Sequence, residues 1–559
     1  MKMAKKNNII RAQPNENKGR VVVLQLNMQK SKLASCNISQ RVAKMDNWVC
    51  LLQEPWRNGG KINGLRGPTR PMYISGGNPR ACVWLSPGTN GWFLSHLSTS
   101  DLAAVLIKEQ HEGRERSVVY ASSYMPDVQG AAPPPTEVVR LVEYCEEKKL
   151  ELIIGSDTNC HHTVRGSTNI NRRGGELIEA LAGTNLVVLN KGREPTFVTR
   201  RCKEVIDLTL ASRSIADRVK DWKVLEDDSF SDHRLISFSI HGERRERQAR
   251  RLVRKTNWAN FKKEMVSKMK DWDEARPTSP KEVEEGIKTL NDTMTTALER
   301  SCPTVNTRVR TKQPGWSQEL IELRQRCASA YKQAVRAQKA DSWERLRRLH
   351  REYKTKLRRA KRAAWQDFCS EAACLSETMR IKKVLCHTEK SMMTMLKRQD
   401  GEFCDTPEEC IELLMETHFP RLAQRETFVP THSWRKVPDG LITQERIAAA
   451  IHSFDAHKSP GTDGISPKML QEAGEELYKV LEGIFTTCVE YGYVPEEWQK
   501  VRVAFIPKPG KTDHTDPKSV RPICLTSFLL KCLERLIDWY LKETVLTKTP
   551  LHPSQFAYR

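Results

Sequence analysis

The chain has 559 residues and a formal charge of +23, a length that fits roughly three or four folded units at about 100–200 residues each. Hydrophobic residues make up 38% and charged residues 29%, enough apolar content for sizeable cores, so a wholly disordered chain is excluded. No apolar run approaches the roughly 18–20 residues that span a bilayer, and the basic start MKMAKKNNII lacks a signal peptide's apolar stretch, so neither a membrane anchor nor secretion is expected.

Residues 1–20 read as a basic tail. Residues 21–242 read as alternating strands and helices, the pattern of an α/β sandwich. VVVLQLN (21–27) is a short apolar strand with a polar end, and SVVYASSY (117–124) is a second. The loop AAPPPT (131–136) leads into a helix at 137–149, where Val138, Val139, Leu141, Val142 and Cys145 recur at helical spacing. ELIIGSDTN (151–159) is a buried strand that breaks into a polar loop, and GGELIEALAG (174–183) is a short helix stopped by Gly183. LVVLN (186–190), VIDLTLAS (205–212) and RLISFSI (234–240) supply three more strands.

Residues 243–400 change character. Within 241–400, 39 Lys/Arg stand against 21 Asp/Glu, so this stretch holds +18 of the +23. A basic helical linker is expected there, broken at DEARPTSPKE (273–282). In 341–365, Trp343, Leu346, Leu349, Tyr353, Leu357 and Ala360 follow a three-four spacing, which makes one face apolar and the rest strongly basic. Residues 401–559 are near neutral again. They read as a helix at 443–454, the Gly/Pro loop HKSPGTDGISP (457–467) and a helix at 471–490. A strand and tight turn in VRVAFIPKPGK (501–511) and an extended-then-helical segment at 519–543 follow. The chain ends at QFAYR and reads as cut in mid-domain. Its 16 cysteines include no CxxC pair and read as buried thiols of a reducing compartment.

Four strings carry the chemistry. Asn27 closes an apolar strand, and Glu54 follows the apolar run of LLQEPW. GSDTN brings Asp157 and Asn159. IDLTLAS and FSDHR bring Asp207, Asp232 and His233. Taken singly, a Glu after a strand is usually a surface carboxylate and a lone His is usually structural. Together, every string sits where a strand runs out, which is where an α/β sandwich places its active site. Phosphodiester hydrolysis needs the phosphate charge neutralised, a water aimed and deprotonated, and the leaving oxygen stabilised. Glu54 suits a hard, oxygen-loving Mg²⁺. A His backed by an Asp is a fixed donor for phosphate oxygens. The Asp157–x–Asn159 pair is expected to put a base and an amide donor on the same side of a strand. Cys160, His161 and His162 are adjacent, which is poor geometry for one tetrahedral zinc.

The order Asn27, Gln53–Glu54, Tyr124, GSDTN, IDLTLAS, SDH resembles the endonuclease/exonuclease/phosphatase superfamily. HHTVRGSTNINRRGGELIEAL (161–181), then PTF (195–197), then IDLTLAS, resembles the apurinic-type endonuclease of arthropod non-LTR retrotransposons. The resemblance covers about 21–240 and implies a four-layer α/β sandwich over the domain 21–242. It implies that Glu54 binds Mg²⁺ (Mn²⁺ being a substitute) with help from Asn27, and that Asp232 supports the metal and phosphate site. It further implies that Asp157 activates water, that Asn159 helps orient it, that Tyr124 contacts the phosphate, and that Asp207 orients His233. Two positions depart from the pattern. Gln29 replaces an acidic residue that some relatives place two after the Asn, and Arg165 stands where close relatives usually have Trp.

In 401–559, KSPGTDGISP (458–467), VPEEW (494–498), VAFIPKPGK (503–511), VRPICLTS (520–527) and HPSQFAYR (552–559) resemble, in order, the fingers region of a reverse transcriptase of the same element class. A partial α+β reverse-transcriptase domain is therefore expected. A nucleoside triphosphate needs fixed cations, and Lys508, beside Pro507 and Pro509, and Arg521, fixed by Pro522, would be such cations. The resemblance assigns residues like these to the incoming triphosphate. Val520 replaces the aromatic usual before RP. Polymerisation needs carboxylates that hold two Mg²⁺, and no YxDD-like string occurs, so this chain is not expected to polymerise by itself. In the middle region, KTNWANF (255–261) and QPGWSQEL (313–320) are family-like, with Gly315 where relatives often show a second Trp. The region is expected to bind nucleic-acid backbones with strong salt dependence.

The sequence thus points to a Mg²⁺-dependent endonuclease of a non-LTR retrotransposon. It would nick double-stranded target DNA in the nucleus, with the element RNA as its other partner. Three alternatives share its features. One is an abasic-site repair endonuclease with the same site. Another is a phosphatase of small polyphosphates, which would make no use of the basic middle. The third is an inactive nucleic-acid-binding remnant.

Overall fold

A computed structural model describes residues 20–67, 69–74, 77–111, 114–128, 132–241, 250–251, 253–269, 276–305, 316–370, 394–420, 436–508, 511, 513–552 and 554–555. The basic tail before residue 20, the first three residues of DEARPTSPKE, Gly315, Pro509 and the end of QFAYR from 556 lie outside the described residues.

The strand Arg20–Asn27 pairs in parallel with Trp48–Gln53 and antiparallel with Ile236–His241. Val219–Val224 and Ala81–Leu85 complete the edges of this five-stranded sheet. A six-stranded sheet runs Leu186–Val188, Asp207–Ser212, Glu151–Asp157, Arg114–Tyr124, Leu102–His111 and Gly91–Phe93 in spatial order. Successive side chains on a strand point to opposite faces, so each central strand feeds two cores. Val23, Val49 and Leu51 meet Val105, Val118, Tyr120, Ile153 and Ala211 between the sheets. Leu24, Leu26, Cys50 and Leu52 point the other way, into a core shared with the helix Lys32–Val42. Ser31 caps that helix by accepting the Ala34 amide at 3.2 Å. The helices Thr136–Glu147 and Arg172–Ala182 pack on the six-stranded sheet. The layers are therefore helix, sheet, sheet, helix, the expected sandwich.

Gly155 lies where the two sheets approach closely. A Cβ there would stand 3.0 Å from the Gln25 and Leu51 side chains. Gly155→Ala is expected to cost about 1–3 kcal/mol of stability by overpacking, seen as a lowered melting temperature of the sandwich. An unchanged melt would mean the sheets have slack at that point.

The chain divides into two units, Met1–Arg247 with Arg308–Cys410, and Gln248–Thr307 with Ile411–Arg559. The expected linker 243–400 is therefore not one body, and the boundary at 400/401 falls inside the first unit. The reason is amphipathicity: a helix with an apolar stripe is stabilised mainly by whichever core buries it. The helices Gln318–Ala337 and Ala340–Ser370 form a hairpin in the first unit. They bury Leu320, Leu323, Tyr331, Leu346, Leu349 and Tyr353 in the same core as the helix Lys32–Val42, Phe230 and the outward-pointing side chains of the five-stranded sheet. Residues 394–405 also close on this unit, with Phe403 stacked on His96 at 4.6 Å and Lys148 paired to Asp405 at 2.9 Å. In the second unit, Trp258–Met269 and Pro280–Ser301 bury Phe261, Met265, Ile287 and Leu290 with Ile447, Leu481, Phe485 and Leu529.

The sequence reading left out the strands Ala81–Leu85, Gly91–Phe93, Leu102–His111 and Val219–Val224. The helix expected at 471–490 is two, Pro467–Glu472 and Glu476–Tyr491, because Gly474 adopts φ +103° between them. Among the described residues, no helix is long and apolar enough to cross a membrane.

Candidate active site

Inward-facing positions change character toward one rim of the sandwich. Val23–Gln25–Asn27, Val49–Leu51–Gln53, Tyr120–Ser122–Tyr124, Ile153–Gly155–Asp157 and Ala211–Thr209–Asp207 each pass from the apolar core to polar groups. Strand register aligns the ends. Tyr124 lies opposite Asp157, and Asp157 opposite Asp207. In the other sheet Asn27 lies opposite Gln53, with Glu54 next in the chain.

Beneath this rim, buried amides join the two sheets. Gln25 Nε2 donates to the carbonyls of Leu208 (3.1 Å) and Ser156 (3.3 Å), and its Oε1 accepts from the Thr209 hydroxyl at 2.7 Å. Gln53 Nε2 donates to the Gly155 carbonyl (2.8 Å) and to Ser122 Oγ (3.0 Å). Buried amides need partners, and these partners fix the sheet spacing under the site. The sequence reading passed over Gln25 and quoted Gln53 only as part of the Gln53–Glu54 string, without a role. Their signal was a polar residue at an inward position of an otherwise apolar strand.

Asp157, Asp207 and His233 are buried at the rim. Asn27 Nδ2 donates to Asp157 Oδ2 at 2.6 Å, and Asn27 Oδ1 accepts the Gln29 amide at 2.9 Å. His233 Nδ1 donates to Asp207 Oδ2 at 2.9 Å. This leaves Nε2 facing Asp157 Oδ2 at 4.0 Å, too far for a direct hydrogen bond. Ligand-type atoms of these three residues lie within 4.8 Å of one another. Burial raises the Asp157 carboxyl well above its usual range, and Asp207 adds to the shift, against the opposing effects of His233 and the Asn27 amide. Burial acts to lower the His233 pKa, but the charge and hydrogen bond of Asp207 outweigh it and push the imidazole up to about 9.

Glu54 and Tyr124 belong to the same rim. Burial raises the Tyr124 phenol, and the charges of Glu54 and Asp157 both add to the shift, so both carboxylates act on this hydroxyl. The Arg80 guanidinium lies 5.1 Å from the Tyr124 ring centroid and is tied to Asp101. Glu54 adopts φ +43° and pairs with Lys30 at 3.0 Å. Lys30 and Arg80 were not singled out in the sequence. Asp232 is held by Gln29, whose Oε1 accepts the Asp232 amide at 2.9 Å and whose Nε2 donates to Asp232 Oδ2 at 3.3 Å. The residue read as a departure is thus the tether between the Asn27 strand end and the Asp232–His233 loop.

Asn159 differs from expectation. The strand ends at Asp157, and Asn159 turns away at φ +49°. Its side-chain Nδ2 donates to the Met125 carbonyl at 3.1 Å, and its main-chain N–H reaches Asp157 Oδ1 at 3.3 Å. Base and amide side chain therefore do not share one side of a strand, because a left-handed residue redirects the chain.

In the second unit, Arg502–Pro507 and Val520–Leu525 form an antiparallel hairpin with Ile506 opposite Arg521. The Lys508 amide donates to the Ser519 carbonyl at 2.8 Å, which makes Lys508 and Arg521 diagonal neighbours on one face. Lys508 Nζ donates to the Lys518 carbonyl at 2.8 Å, and Arg521 is exposed. The loop after Pro460 meets the end of the RPICLTS string, since a Cβ on Gly461 would lie 2.8 Å from Ser527 N.

Glu54, Asp157 and Asp232 offer carboxylate oxygens, the donors a hard divalent cation takes. A sandwich whose rim joins such carboxylates to a carboxylate-held histidine has the donor set that metal-dependent phosphodiester hydrolysis needs. Residues 118–237 match the family model described as endonuclease-reverse transcriptase. Over 549 residues, the chain is 24% identical to the 115 kDa protein in type-1 retrotransposable element R1DM of Drosophila melanogaster, covering 93% of this chain and 52% of that protein. Over 411 residues, it is 25% identical to the retrovirus-related Pol polyprotein from type-1 retrotransposable element R1 of Bradysia coprophila, covering 70% of this chain and 40% of the relative. The chain thus spans about half the length of the curated relatives it matches. Among solved structures, the endonuclease domain of TRAS1, a telomere-specific non-LTR retrotransposon, aligns with 41% of this chain and 100% of its own at 26% identity and a TM-score of 0.33. Part of the first unit is thus similar to endonuclease-reverse transcriptase proteins, in a chain similar to R1-type non-LTR retrotransposon proteins.

Proposed function

We propose that the first unit is a Mg²⁺-dependent endonuclease that nicks one strand of double-stranded DNA and leaves a 3′ hydroxyl, from which the element's RNA is reverse-transcribed in the nucleus. The observation that carries this reading is the chain Asn27–Asp157 and His233–Asp207, with a 4.0 Å gap between His233 Nε2 and Asp157 Oδ2. Asp157 takes the proton of the attacking water. His233 Nε2, kept protonated by Asp207, donates to a phosphate oxygen, and the Tyr124 hydroxyl contacts the same phosphate. Asn27 acts by fixing Asp157, since both of its polar side-chain atoms are engaged within the protein. Asn159 acts through its main-chain N–H on Asp157. Glu54, supported by Asp232, would hold the Mg²⁺, which neutralises the phosphate and stabilises the leaving oxygen when bound. Supercoiled plasmid incubated with the full chain tests this. Nicked circles that require Mg²⁺ and whose ends a polymerase extends are expected. Cutting confined to abasic sites would favour the repair reading, and no cutting at all would favour the inactive remnant.

The outer face of the helix Ala340–Ser370 exposes Arg345, Arg348, Arg351, Lys354, Arg358 and Arg362. We assign this face to nucleic-acid phosphates, of the target DNA or the element RNA. Its binding is expected to weaken by about 10³-fold between about 50 and 200 mM salt, with a shallower slope once Arg351, Lys354 and Arg358 become Gln. Affinity that changes less than threefold over that range would remove the assignment. Lys508 and Arg521 are proposed as triphosphate contacts of a polymerase fingers region.

A further inference from the structure

The loop that presents Asp232 and His233 is held from outside the sandwich. Asp228 is buried, and its Oδ2 meets His350 Nε2 at 2.6 Å while its Oδ1 accepts the Phe230 amide at 2.8 Å. Phe230 adopts φ +61°, an unfavourable backbone for a bulky residue, which persists only where its surroundings over-determine it. Those surroundings are two rings of the helix Ala340–Ser370: Tyr353 stacks on Phe230 at 5.4 Å, and His350 lies at 4.9 Å. Ser229, between Asp228 and Phe230 in the chain, links this anchor to the site, with its hydroxyl donating to the His233 carbonyl at 2.5 Å. From the other helix of the hairpin, Arg324 donates to Gln40 Oε1 at 2.8 Å and Asn37 Oδ1 at 2.5 Å, and Asn37 Nδ2 donates to the Asp228 carbonyl at 3.1 Å.

We infer that the helical hairpin 318–370 is a positioning element of the nuclease: through His350 on Asp228, and two rings on Phe230, it fixes the loop that aims His233 at Asp157. The catalytic consequence rests on the nuclease reading above, whereas the clamp itself can be measured without turnover. His350 and Tyr353 touch no reacting group. They act through the loop, as outer partners orient the groups that do the chemistry.

The test uses the full chain with His350→Ala and His350→Gln, the second keeping a side-chain N–H donor for Asp228. His350→Ala is expected to lower kcat for nicking roughly 10- to 100-fold with KM within about twofold, and His350→Gln to recover most of that loss. Amide hydrogen exchange of 226–233 is expected to rise in His350→Ala while that of 151–157 stays unchanged. Unchanged exchange at 226–233 overturns the clamp, and raised exchange with unchanged kcat overturns its catalytic role. Equal loss in both variants, with exchange raised across the whole unit, overturns positioning in favour of general destabilisation. If the wild-type chain does not nick, the nuclease reading fails, and the exchange comparison still decides the clamp.

Discussion

Asp157→Asn cuts DNA nicking by about 10²–10⁴-fold, the range expected when a positioned acid–base group is removed, while duplex binding at the same salt is retained. The substitution keeps the side chain's size and can still accept from Asn27 Nδ2, so the surrounding packing is preserved. What disappears is the ability to take a proton from water. In the wild type, burial and Asp207 raise this carboxyl, bringing its proton affinity toward that of a general base working near neutral pH. Single-turnover nicking alongside gel-shift titration checks the result. A loss under tenfold would sink the assignment, and parallel loss of binding would point to misfolding instead.

His233→Ala gives a loss of similar order, and Asp207→Asn a smaller one with a signature in pH. Asp207 raises the His233 pKa to about 9 against the opposing effect of burial. Removing its charge leaves burial unopposed by that partner, so the imidazole loses its proton at lower pH. The alkaline limb of kcat/KM for Asp207→Asn is therefore expected to move toward acid at fixed saturating metal. Stability follows the same sign. The raised folded-state pKa contributes stability that is fully present below the unfolded value of about 6.5 and is lost as pH rises through about 9. In Asp207→Asn that contribution should shrink, since only the charges of Asp157 and Asp232 then remain to raise the imidazole, so the gap in melting temperature between the two proteins should be wider near pH 6.5 than above pH 9. A pH profile of unchanged shape would remove Asp207 from its role.

Much of the site was legible because its residues obey one simple rule. Asn27, Asp157 and Asp207 are polar groups at strand ends, and period-two alternation places them inward once the strands are recognised. The Asp232–His233 loop was legible from its string alone. The glutamines beneath were not, because one polar residue inside VVVLQLN looks like tolerated variation until a second sheet lies across it. Asn159 was misplaced because sequence spacing does not reveal a left-handed residue. The missed strands differ among themselves. Leu102–His111 ends in the polar run Lys108–Glu109–Gln110–His111, and Val219–Val224 carries a register shift between Lys220 and Lys223, so neither reads as a clean alternation. The helices of 243–400 were visible from their apolar stripes. A stripe shows that a face is buried without showing against what, and so the division of that stretch between two cores could not be read.

That division has a consequence for the order in which the protein is made. The last strand of the sandwich ends at His241, but the hairpin that completes the core around the helix Lys32–Val42 ends only at Ser370. At about 5–20 residues per second on the ribosome, that core waits roughly 6–26 s for its last members, while residues belonging to the other unit emerge in between. During that interval the apolar side chains that will meet the hairpin stay open to chaperones, and the loop bearing His233 still lacks its clamp. The nuclease is therefore completed late in translation, well after the last of its own strands.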